Sequence, residues 1–330
     1  MSATDTKEDT QDRDQREIDR YLDSLQHQRM LSAHTITNYA RDLCELRNLA
    51  QSANSPLPAI EHYQIRKFAA QLHARGLNAR SIARKLSAWR GFYQWLSEQG
   101  ELKSNPVDGV KAPKKAQPLP KALAADDAVH LVSQNHPLKD PESSMQRCNR
   151  AMFELLYSSG LRISELVGLD VHYQQGDGYV SLGWVDLDSH EVTVTGKGNK
   201  MRSVPVGQPA VAALKNWLEV RAELVARHVD ANLQALFLSE RGARMSARVA
   251  QLRIKTHGQA LGMASNVHPH VLRHSFASHV LQGSGDLRAV QEMLGHASIS
   301  STQVYTSLDF QRLAQVYDAA HPRAKKVGPK

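Results

Sequence analysis

The chain is 330 residues long, which at about 150 residues per domain points to two domains and at least one sizeable core. Hydrophobic residues are 41% and charged residues 22%, too apolar for wholesale disorder, and no apolar run approaches the roughly 18 residues a membrane span needs. Forty-one Lys and Arg against 33 acids give a net charge of +8, which fits either a polyanion binder or a protein with a solvated basic surface.

Residues 1–20 hold seven acids and four bases, with no apolar stretch of the kind a signal peptide carries. Residues 1–14 read as a disordered acidic leader. The steps between Ile36, Tyr39, Leu43, Leu46 and Ala50 are three or four residues, one apolar helix stripe that Ser32 or Thr35 caps. Cys44, beside the stripe, reads as a buried thiol. With Cys148 it supplies neither a disulfide framework nor a four-cysteine zinc site, and a cytoplasmic protein is expected.

A helix over 79–99 buries Ile82, Leu86, Trp89, Tyr93 and Leu96. Its other face carries Arg80, Arg84, Ser87 and Gly91, a narrow row that suits close approach to a DNA phosphate backbone. Residues 66–121 hold twelve Lys or Arg against three acids, which concentrates the positive charge there. Residues 103–121, with four prolines and five lysines, read as a basic, semi-extended linker.

Beyond the linker the pattern is helical, then alternates on both sides of Gly-Lys-Gly-Asn in EVTVTGKGNKMRSVPVG, the mark of a β-hairpin. Helices return around 209–228 and 246–261, in LRHSFASHVLQGSG and LRAVQEMLGHAS, and near 309–320. GKGNK is not a Walker loop, since a strand and not a helix follows it. His268, His270 and His274 invite a metal, but Arg273 lies among them and no acidic or cysteine ligand is spaced nearby, so no metal and no cofactor is expected.

Taken together, YSSGLRISELVGL, TGKGNK, HPHVLRHSFASH, LGHASISSTQVYT and SLDFQRLAQVYDAAHPRA resemble the tyrosine site-specific recombinases of the Xer type. The resemblance spans residues 16–324 with the boxes in order, and the ending is closer to the XerC branch than to the XerD branch. It implies a mainly α fold with a small β-sheet, built as a two-domain clamp. An N-terminal helical SAM-like core-binding domain (15–102) is joined through the linker 103–121 to an α+β catalytic domain (122–322), with a basic tail at 323–330.

Carried over residue by residue, the resemblance makes Arg162, Lys197, His270, Arg273 and His296 catalytic and Tyr305 the nucleophile. Arg80, Arg84 and Ser87 would contact DNA. VHYQQGDGYVSLGW (171–184) is longer than the usual connection and reads as a surface excursion, which leaves Lys200 as a rival to Lys197. The resemblance further implies a double-stranded recombination site, a XerD-like partner in a heterotetrameric synapse, a DNA translocase as activator and a role in resolving chromosome dimers at cell division. The terminal helix, with Phe310, Leu313, Ala314 and Tyr317 as its stripe, either packs against its own domain or, as the resemblance implies, docks on a neighbouring subunit. A phage or integron integrase, a type IB topoisomerase and a non-catalytic architectural DNA-binding protein stay open as alternatives.

The residue types fit the chemistry on physical grounds. Attack on a phosphodiester adds charge to its non-bridging oxygens, which two permanently charged, forked guanidiniums neutralise. A phenol with a pKa near 10 needs its proton removed, a task for His270. The departing 5′ oxygen needs a proton, a task for Lys197 on its hairpin tip. His296 suits a hydrogen bond to the phosphate.

Overall fold

A computed structural model describes residues 3–27, 33–113, 122–133, 143–176, 178–196, 199–263, 267–295 and 307–324. The chain divides into two units, Met1–Pro118 and Leu119–Lys330. No described helix is long and apolar enough to cross a membrane.

The first unit is helical: α1 (Ala3–His27), α2 (Ala33–Ser52), α3 (His62–Ala74) and α4 (Ala79–Glu98). Asn78 starts α4 by accepting a hydrogen bond from the Ser81 amide at 2.8 Å. All five expected apolar residues of α4 are buried, and the Trp89 indole donates to the Asp42 carbonyl of α2. Three expectations fail here. The helix α1 begins inside the stretch read as a disordered leader. Asp14 is buried and accepts from the Leu57 amide at 3.1 Å, while Ile18, Tyr21 and Leu25 face the core, so apolar spacing won over local acidity. Cys44 is exposed. Val107 and Val110 are buried, and Arg90 donates to both of their carbonyls, so the linker starts later than residue 103. Its Pro/Lys composition hid those two anchors.

The second unit is built on α6 (Ser144–Ser159), whose side chains from Ala151 to Ser159 are all buried, preceded by α5 (Ala125–Ser133) and followed by α7 (Ile163–Gly168). A small hairpin, β1 (Gln175–Gly176) and β2 (Tyr179–Val180), leads into a three-stranded antiparallel sheet ordered β3 (Gly183–Asp186), β4 (Glu191–Thr195), β5 (Met201–Pro205). The expected hairpin is thus β4–β5, with Val192 opposite Val204 and Val194 opposite Arg202.

The stretch 171–184 is only partly a surface excursion. Its end enters the sheet at Gly183, where a Cβ would lie 2.8 Å from the Thr193 carbonyl oxygen, and buried Asp170 holds Tyr179 and Arg244 across its base. Helices α8 (Gln208–Ala226), α9 (Ala247–Ala260), α10 (Pro269–Ser284), α11 (Leu287–Leu294) and α12 (Ser307–Ala320) complete the unit.

The terminal helix packs on its own unit. Leu313 and Tyr317 of α12 are buried, and the Tyr317 hydroxyl shares a 2.7 Å hydrogen bond with Ser158. Arg323, placed in the basic tail by composition, is buried and paired with Glu154, its Nε donating at 3.0 Å.

Candidate active site

Gly160 ends α6 in the left-handed conformation at φ +57°, and a Cβ there would collide with the Phe276 ring. This turn brings Arg162 to the N-cap of α7. The Arg162 amide donates to Glu165 Oε2 at 2.7 Å and its Nη1 donates to Oε1 at 2.8 Å. The side chain is 37% exposed, so the guanidinium is anchored at one end and open at the other.

Arg273 lies one turn into α10 and is buried. It donates to the Gly160 carbonyl through Nη1 and to the Leu294 carbonyl through Nη2, both at 2.6 Å. Burial, and next the neighbouring charge of Arg162, bring its pKa down to about 10, which leaves it charged at neutral pH. Arg162 also reaches the end of α11, its Nη2 lying 3.4 Å from the Gly295 carbonyl.

Two residues with no role assigned from sequence complete the arrangement. Arg202 of β5, buried, forks onto Glu165 with Nη1 to Oε1 at 2.9 Å and Nη2 to Oε2 at 2.8 Å, and its Nε donates to the Met293 carbonyl at 2.8 Å. Burial alone would raise the Glu165 carboxyl, but the hydrogen bond and charge of Arg202, then the Arg162 amide and guanidinium, outweigh it and hold it at about 2. Strand alternation could have flagged Arg202, since it lies on the same side of β5 as buried Val204. The spacing of three from Arg162 could have flagged Glu165.

The structure therefore brings Arg162 and Arg273 together at the C-terminal end of α11. His270 is exposed on the first turn of α10, with its ring 6.2 Å from that of His268. Lys200 is exposed, and its carbonyl accepts from the Gly196 amide to close the hairpin turn. Lys197, His296 and Tyr305 lie outside the described residues. Among the described residues, no group of three or more His, Cys, Asp or Glu could hold a metal.

On α4, Arg80, Arg84 and Ser87 are exposed, but Arg84 is also paired with buried Asp42, which Lys85 meets from the other side at 3.0 Å. Gly91 has a different reason than close approach to DNA. A Cβ there would lie 2.5 Å from the Tyr21 hydroxyl, so its smallness admits α1.

Residues 121–312 match the phage integrase family, and residues 18–100 match the phage integrase N-terminal SAM-like domain. The chain is 54% identical to tyrosine recombinase XerC 1 of Ralstonia nicotianae over 98% of its own length and 99% of that protein. The chain belongs to the tyrosine recombinases. This recombinase is also 46% identical to XerC of Pseudomonas aeruginosa strain LESB58, covering 94% and 96% of the two chains. Its fold matches the crystal structure of XerH site-specific recombinase bound to a palindromic difH substrate, with TM-score 0.62 at 22% identity over 86% and 79% of the chains. The recombinase is mainly helical with small antiparallel sheets, and it breaks and rejoins DNA strands at specific sites.

Proposed function

We propose that this recombinase acts as the XerC-type half of a cytoplasmic heterotetrameric synapse, pairing with a XerD-like subunit on a double-stranded site that resolves chromosome dimers, under control of a DNA translocase. The supporting likeness is to the XerC proteins of Ralstonia and Pseudomonas along nearly the whole chain.

In the chemical step, the Tyr305 phenolic oxygen attacks the scissile phosphorus as His270 takes its proton. The bond to the 5′ oxygen breaks, and Lys197 protonates that oxygen as it leaves. Products are a 3′-phosphotyrosyl enzyme and a free 5′ hydroxyl, and reversal with a new 5′ hydroxyl rejoins the strand. Arg162 and Arg273 bind the non-bridging oxygens, with His296 donating a further hydrogen bond. One ester replaces another, so no external energy source enters the balance. The observation that carries this reading is the convergence of Arg162 and Arg273 at the end of α11, the helix from which the chain continues to His296 and Tyr305.

The test is recombination of a supercoiled plasmid with two directly repeated dimer-resolution sites, with a XerD-like partner and with the DNA translocase supplied with ATP. Excision of the intervening segment that requires both recombinases supports the proposal. Excision by this chain alone would make it a self-sufficient integrase, and site-independent relaxation would make it a topoisomerase.

A further inference from the structure

Arg202 bonds both Glu165 and the last turn of α11 while remaining only 4% exposed. Its three hydrogen bonds use both edges of the guanidinium, one on the Glu165 carboxylate and one on the last turn of α11. That turn is shared in an ordered way. The successive carbonyls of Met293, Leu294 and Gly295 face Arg202, Arg273 and Arg162 respectively. The terminal carbonyls of a helix lack partners within it, and here three arginines from three elements supply them.

Glu165 is shared in the same way. Oε1 accepts from Arg202 and Arg162 side chains, and Oε2 accepts from the Arg202 side chain and the Arg162 amide. A carboxylate held by one arginine alone would draw that guanidinium fully onto itself. With Arg202 occupying one edge, Arg162 is anchored to Glu165 by Nη1 alone, while its Nη2 lies at the Gly295 carbonyl. Gly295 presses against the same side chain, since a Cβ there would lie 3.0 Å from Arg202 Cδ.

We propose that Arg202 is a positioning residue that, through Glu165 and the end of α11, aims Arg162 and Arg273 at the scissile phosphate. The proposal rests on the reading of those two arginines as phosphate-binding. A lysine keeps the charge but cannot fork onto the carboxylate and reach the Met293 carbonyl together.

The experiment is single-turnover cleavage by Arg202→Lys of two nicked duplexes, one with the natural scissile phosphodiester and one with a methylphosphonate there. The methylphosphonate has lost the charge that the guanidiniums neutralise. Arg202→Lys is expected to be slowed about 10- to 100-fold on the phosphodiester and to stay within about threefold of wild type on the methylphosphonate. An equal penalty on both substrates would overturn the proposal, because a general structural defect does not distinguish them. Glu165→Gln, nearly isosteric, breaks the same fork from its other side and is expected to show the same contrast, which decides the matter should Arg202→Lys fold poorly. Arg162→Ala run in parallel separates the two levels. If its own penalty is not relieved by the methylphosphonate, the phosphate-binding reading fails and takes the proposal with it. If only Arg162→Ala is relieved, the positioning role alone is wrong.

Discussion

Lys197 and Lys200 lie three residues apart in GKGNK, and a leaving oxygen can take its proton from only one of them. A substrate with a 5′ bridging sulfur departs without protonation, so it should restore cleavage to the variant that lacks the general acid. We expect rescue of Lys197→Ala, read as covalent complex formation. Rescue of Lys200→Ala instead would reassign the acid. At Glu165 the sign of the pH dependence is fixed by a pKa of about 2 in the folded chain against an ordinary 4.5. Its contribution to stability is complete above pH 4.5 and is lost as the pH falls toward 2. Chemical denaturation across that window should show a steeper acid loss for wild type than for Glu165→Gln, and parallel curves would contradict the ion-pair account. The sequence exposed Arg162 and Arg273 through their boxes, yet it concealed Arg202, because an inward-facing strand arginine acquires meaning only once its buried acid is known.

Among elements, α4 was legible almost to the residue because its apolar period is unbroken and Asn78 caps it. The start of α1 was not, since its core residues Ile18, Tyr21 and Leu25 lie late in the helix and the partner of Asp14, the Leu57 amide, is more than 40 positions away in sequence. The terminal helix was legible as a helix, but an apolar stripe does not say which surface receives it. That surface includes Gly283 of α10, where a Cβ would lie 2.7 Å from the Ala320 Cα. Gly283→Ala should loosen α12 at a cost of about 1–3 kcal/mol. Hydrogen exchange should show faster exchange over 310–320 with α10 amides still protected, and unchanged protection of α12 would mean the contact is easily relaxed. The same variant tests whether freeing the helix raises cooperative assembly with a partner.

For the whole molecule, charge was legible as a quantity and not as a set of roles. Residues 66–121 carry a net +9, and DNA affinity should fall steeply with salt as counterions are released on binding. Arg80→Gln should flatten the slope of log affinity against log salt by about one unit if that side chain meets a phosphate. Arg84→Gln should in addition lower the unfolding midpoint, because it strips one of two cations from buried Asp42.

We propose that this chain cuts DNA by forming a bond between Tyr305 and a 3′ phosphate. The direct measurement is incubation with a nicked suicide duplex, isolation of the covalent complex and mass spectrometry of its nucleotide-bearing peptide. An adduct on Tyr305 is expected that is absent from Tyr305→Phe, although Tyr305→Phe binds the duplex as wild type does. An adduct on any other residue, or one that persists in Tyr305→Phe, would contradict it.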